Sequence, residues 1–101
     1  MRKAARFTAV ALSAATIALG TVTVAHAGDY TENGVRIRSN STTSSGVLGL
    51  GYTSHTITPI CYQAGTVING NKWWDKHRNN NTGVTGFSSM TLLTKWASSH
   101  C

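Results

Sequence analysis

Acidic residues are scarce in this sequence: Asp29, Glu32 and Asp75 are the only three among 101 residues. Hydrolysis by paired carboxylates needs two such groups converging on one bond, so Asp75 would have to recruit a partner from the polar stretch at 28–33. No glycine-rich phosphate loop with its lysine occurs, and no long amphipathic stretch marks a helix. The two cysteines, Cys61 and Cys101, lack the short paired spacing of a zinc site, even with His55 and His100 counted beside them. Asp75 and His77 lie two apart on a strand candidate and therefore share a face. With a serine they would supply the residue types of a triad, but the plainer expectation is a solvated pair flanked by Lys76 and Arg78. The sequence thus offers no catalytic set, no metal site and no cofactor site, and it is not read as an enzyme.

What it has in quantity is an apolar, alanine-rich run at its start. Met1, Arg2, Lys3 and Arg6 give a positive beginning, the run extends from Phe7 to about Val24, and Ala25-His26-Ala27 supplies small residues around a cleavage point. That order is the pattern of a secretory signal. Thr8, Ser13, Thr16, Gly20, Thr21 and Thr23 interrupt the run, which makes it a weak membrane span. The expectation is a signal peptide over 1–27, a mature chain from Gly28, a secreted or wall-associated location, and no membrane contact after cleavage. The formal net charge of +6 falls by three once Arg2, Lys3 and Arg6 leave. The remainder is a mild basic bias, not the dense cationic footprint of a nucleic-acid binder, so no nucleic-acid partner is expected.

Export also changes what the cysteines mean, because an even pair in an oxidising compartment is ordinarily a disulfide. A Cys61–Cys101 bridge would close about 40 residues and stabilise the fold by roughly 4 kcal/mol in the chain-entropy picture. A domain this small buries only about 60% of its unfolded surface, so such a staple matters. An intermolecular bridge or a free C-terminal thiol is the alternative.

Along the chain, 28–33 is polar and reads as a flexible N-terminus. Val35-Arg36-Ile37-Arg38 alternates apolar and basic residues, the period of a half-buried strand. The Ser/Thr/Asn/Gly stretch that follows reads as a long surface loop. Val47-Leu48-Gly49-Leu50-Gly51-Tyr52 fits a strand kinked at its glycines, and Pro59 assigns the β-rich 56–63 to an edge or a bulge. Thr66-Val67-Ile68 and Lys72-Trp73-Trp74-Asp75-Lys76 flank Asn69-Gly70, a strong hairpin signal because both positions tolerate positive φ. Residues 78–83 form a second polar turn, and 90–96 fit either a last strand or a short helical turn. Short strands with turns every eight to twelve residues predict one small all-β barrel or sandwich.

Three of these segments resemble bacterial SH3-like (SH3b) domains. Val35-Arg36-Ile37-Arg38-Ser39, a polar loop and Gly46-Val47-Leu48-Gly49 are similar to their opening strand, loop and short apolar segment. Thr66-Val67-Ile68-Asn69-Gly70-Asn71-Lys72-Trp73-Trp74-Asp75-Lys76 is similar to the V-x-G-N and W-D-K segments of secreted members, and Gly86-Phe87-Ser88-Ser89 to their closing strand, with Phe87 where Trp or Tyr is usual. The resemblance implies a five- or six-stranded SH3-like β-barrel over 34–101, and the cysteine pairing expected above would pin the C-terminal tail to a central strand. It also implies a monomer that binds cell-wall peptide or another extracellular peptide or protein without catalysis. A small secreted effector, such as a protease inhibitor or antibacterial protein, is the alternative.

The aromatic residues carry the site expectation. Adjacent Trp73 and Trp74 on a strand must point to opposite faces, and the resemblance places Trp74 as structural and Trp73 on the exposed side. It further implies a groove lined by Tyr52, Trp73 and Tyr62, of the aromatic kind in which SH3 domains read extended peptides. Arg36 and Arg38 share one strand face, either solvated or in contact with a ligand carboxylate.

Overall fold

The structure, a computed structural model, describes residues 28–101; the signal peptide expected at 1–27 lies outside the described residues. Five strands are present: β1 (Val35–Arg38), β2 (Val47–Gly51), β3 (Ile57–Ile68), β4 (Asn71–Asn79) and β5 (Thr85–Ser89), followed by a 3₁₀ turn at Met90–Leu92. They form a single antiparallel sheet in the order β2-β1-β5-β4-β3. The alternation in β1 places Val35 and Ile37 inside and leaves Arg36 exposed and Arg38 half-buried.

The Asn69-Gly70 signal sets the β3–β4 hairpin. Asn69 has φ 51° and Gly70 φ 78°, the pair of positive values that a two-residue turn needs to match the twist of its strands. A Cβ at Gly70 would meet no atom within 4 Å, so Gly70→Ala carries only the cost of a left-handed backbone. That is about 1–2 kcal/mol, expected as a lowered urea midpoint; an unchanged midpoint would mean that the turn refolds around the new side chain.

Pro59 satisfies both of its expectations. Strand β3 is a sheet edge, and its register against β4 shifts between Pro59 and Cys61. Apart from Thr56, segments 56–63 and 66–68, which read as separate in the sequence, are parts of this one 12-residue strand, with a second shift between Ala64 and Ile68.

The sheet does not close into a barrel through a ladder, because β2 and β3 remain its two edges. The serine-rich loop between β1 and β2 spans the gap instead. The Ser41 hydroxyl donates to the Ala64 carbonyl at 2.9 Å, the Thr66 amide donates to the Ser41 carbonyl at 3.0 Å, and Gln63 Nε2 donates to Ser41 Oγ at 3.0 Å. Glycine at position 65 permits this approach, since a Cβ there would overlap the Ser41 carbonyl. The all-β expectation therefore holds, but the expected closed barrel is corrected to a single open antiparallel sheet whose edges are linked by a loop.

The N-terminal segment departs from its expectation. Tyr30 is fully buried and, with Val35, Ile37, Ile57 and Leu93, makes the apolar core. It bridges Leu93, while Gly28 N donates to Thr53 O at 2.9 Å and Asp29 N to His55 O at 2.8 Å. The Asp29 carboxylate accepts from the Ile57 amide at 2.9 Å and pairs with Lys95 at 3.5 Å. The flexible N-terminus is corrected for a physical reason: among polar letters, one aromatic ring and three backbone pairings suffice to anchor a short segment.

Cys61 and Cys101 form an intramolecular disulfide across a sequence separation of 40, and no cysteine among the described residues is free. It ties the tail to β3, an edge strand rather than the central strand expected.

Candidate ligand groove

Strand β4 sets two faces. Lys72, Trp74, Lys76 and Arg78 occupy one, and Trp73, Asp75, His77 and Asn79 the other. Trp74 is 3% exposed and its indole N–H donates to the Thr66 carbonyl at 2.7 Å, in keeping with a structural part.

The opposite face runs from the core to the surface. At its core end His77 is fully buried. His77 Nδ1 lies 3.2 Å from the Asp75 carbonyl and Nε2 lies 2.8 Å from the Tyr30 hydroxyl. A carbonyl can only accept, so in the neutral ring the proton sits on Nδ1 and Tyr30 donates to Nε2. Burial favours that neutral ring and lowers the His77 pKa, although the hydrogen bond to the Asp75 carbonyl opposes it. Burial also pushes the Tyr30 hydroxyl up to about 12. Asp75 is buried too, with Oδ1 accepting from the Ala97 amide at 2.7 Å and Oδ2 having no partner. Desolvation raises its carboxyl to about 6, against the pull of that amide. The solvated Asp75–His77 pair is thus corrected: the two share a face, but Tyr30 covers one end and the C-terminal tail the other.

At its outer end this face opens into a groove of about 400 Å³, lined by Tyr62, Trp73, Met90, Trp96, Ala97 and Ser98. Tyr62, from β3, meets Trp73 edge-on at 5.4 Å between ring centroids. His100 stands edge-on to both, at 5.1 Å from Tyr62 and 6.2 Å from Trp73. The Lys72 ammonium lies 4.9 Å from the Trp73 centroid, a cation–π contact. Trp73 is therefore half-buried with its ring engaged, and the broadest free aromatic surface is Trp96, 52% exposed.

One wall of the groove is the tail itself. Beyond Leu93, the chain returns along β3 as a strap. The Tyr62 amide donates to Ser99 O at 2.9 Å, and the Cys101 amide to Tyr62 O at 2.8 Å. A parallel bridge pairs Tyr62 with His100. Every strap residue from Thr94 onward is exposed except the half-buried Ala97. Ordering costs about 1–2 kcal/mol per residue of backbone, while a hydrogen bond returns a net of about 1 kcal/mol. Against that cost stand the bonds made by Thr94, Ala97, Ser99 and Cys101, the Lys95–Asp29 pair, the ring contacts of His100 and the disulfide.

The structure brings together only two of the five expected ligand residues, Tyr62 and Trp73. Tyr52 is 39% exposed and sits edge-on to His55 at 5.4 Å, away from the groove. Arg36 and Arg38 line a different cleft of about 160 Å³ on the Trp74 side, with Glu32 and Leu92, and Arg38 Nη1 donates to the Ser45 carbonyl at 2.8 Å. Trp96 and His100 were not expected in the site, yet a signal for them existed. Once Cys101 pairs with Cys61, the chain's reach of about 3.3 Å per residue forces His100 beside Tyr62 and keeps Trp96 within range.

No protein-family model matches the sequence, and no curated protein matches it. Among the described residues, no helix is long and apolar enough to cross a membrane, and no group of three metal-binding side chains gathers at one point.

Proposed function

We propose that the chain is a secreted, non-catalytic binding module of SH3-like type, whose ligand is a cell-wall peptide or another extended envelope peptide. The observation that carries this reading is the groove in which Tyr62, Trp73 and Trp96 come together from β3, β4 and the strap. Rigid aromatic side chains bury large areas at low entropic cost, which suits them to flat or extended ligands. The antiparallel sheet, the β3–β4 hairpin and the disulfide agree with a small exported domain of this type. The buried polar face supports binding over catalysis, since His77 contacts Tyr30 and a backbone carbonyl rather than a carboxylate, and Asp75 is sealed beneath Ala97.

The test is retention on purified, insoluble peptidoglycan. The wild-type chain is expected to be retained, and Trp96→Ala to weaken retention about tenfold, the scale of one interface aromatic. Because Trp96 is 52% exposed, the circular dichroism spectrum of the variant should match that of the wild type. Wild-type protein passing through at the level of a column without wall material would sink the reading.

A further inference from the structure

We propose that the Cys61–Cys101 disulfide builds the groove, so that the site exists in the oxidised protein and is dismantled when a dithiol reduces the bond. This rests on the reading of the groove as the ligand site and adds its regulation. Trp96, Ala97 and Ser98 supply one whole wall, and all three lie on the strap. Their hold on the sheet consists of the Ala97 amide on Asp75, the two backbone bonds of Tyr62, the His100 ring and the disulfide. None of the core residues Tyr30, Val35, Ile37, Ile57 and Leu93 belongs to the strap. The segment is further anchored only as far as Lys95, through Thr94 N to Asp29 O at 2.9 Å and the Lys95–Asp29 pair. Release can therefore begin at residue 96 without opening the core.

The bond is placed where a reductant can reach it, since Cys101 is exposed and Cys61 half-buried. One thiolate of the dithiol attacks Cys101 Sγ, the S–S bond breaks, and the Cys61 thiolate leaves and takes a proton. The second thiol, as thiolate, closes on the mixed disulfide and frees Cys101. Two electrons and two protons pass from the dithiol, which becomes a cyclic disulfide, to the two cysteines. Released, the strap removes the groove wall, uncovers the Tyr62 amide and carbonyl, and gives the Asp75 carboxylate to water.

The experiment compares the oxidised chain, the chain in excess dithiothreitol, and the Cys101→Ser variant, by amide hydrogen exchange and by peptidoglycan retention. In both bond-free samples the Tyr62 and Ala97 amides are expected to exchange more than about a hundredfold faster and well ahead of the Ile37 and Trp74 amides, which open only with the whole domain, the mark of local rather than global opening. Retention should fall by at least the roughly tenfold of an anchor truncation. Protection of Tyr62 and Ala97 surviving reduction would overturn the proposal. So would simultaneous loss of protection at Ile37, because the bond would then staple the whole fold; a chain ending at Lys95 and carrying Cys61→Ser decides this separately and should stay folded. Failure of the oxidised chain to bind peptidoglycan would sink the functional reading alone, since exchange still decides whether the bond holds the strap.

Discussion

Tyr30→Ala is expected to leave the domain largely unfolded at room temperature. The ring is fully buried among Val35, Ile37, Ile57 and Leu93, and truncating a buried aromatic residue to alanine costs about 3–5 kcal/mol. The same change leaves His77 Nε2 without the hydroxyl that lies 2.8 Å away, an unsatisfied buried acceptor worth about 1–3 kcal/mol more. Against a total stability near the low end of about 5–15 kcal/mol for small domains, little remains. Glu32→Ala, two positions along the same segment at an exposed residue, should change stability by no more than about 0.5 kcal/mol. Tyr30→Phe keeps the ring and isolates the hydroxyl. Urea titrations followed by circular dichroism, with amide dispersion in NMR spectra, read all three. A folded Tyr30→Ala with a wild-type midpoint would show that the N-terminal segment stands outside the core.

That prediction falls on a residue whose importance the sequence hides. Local signals were legible because local chemistry enforces them. Asn69-Gly70 makes its turn through positive φ alone, Val35 and Ile37 face inward through a two-residue period, and Pro59 lacks the N–H that a central strand would use. Cys61 and Cys101 were legible through redox chemistry.

The remainder depends on contacts between segments far apart in the chain, which no local pattern encodes. Tyr30 is buried by its bridge to Leu93, and Asp75 by a tail more than 20 residues later, through a bond spanning 22 positions. Ser41 looks like any loop serine until its carbonyl lies against Gly65. The site shows the same division. Tyr62 and Trp73 were expected together and meet across one strand pair, whereas Trp96 enters from the tail that lies back along β3.

The buried face of β4 is expected to give two single variants opposite responses to acid. Asp75 titrates at about 6 in the folded chain against 3.8 for the free carboxyl. The folded state therefore binds its proton first, and this group's contribution grows as pH falls from about 6 to about 4. At 1.36 kcal/mol per pKa unit, the gain is about 3 kcal/mol. His77 works the other way. Its folded pKa lies below the ordinary 6.5, so below that pH the unfolded chain takes the proton first and stability is lost.

The two slopes oppose each other in the wild type and separate in variants. Asp75→Asn keeps an acceptor for the Ala97 amide but cannot titrate. Relative to the wild type it should lose about 3 kcal/mol between pH 7.5 and pH 4. His77→Gln should gain on the wild type over the same interval, by an amount that measures the depth of its burial. Taking each variant as a difference from the wild type removes what distant titrating groups contribute. Urea midpoints at four or five pH values suffice. An Asp75→Asn curve parallel to the wild type would mean that the carboxyl titrates equally in the folded and unfolded chains, and that the strap does not seal it.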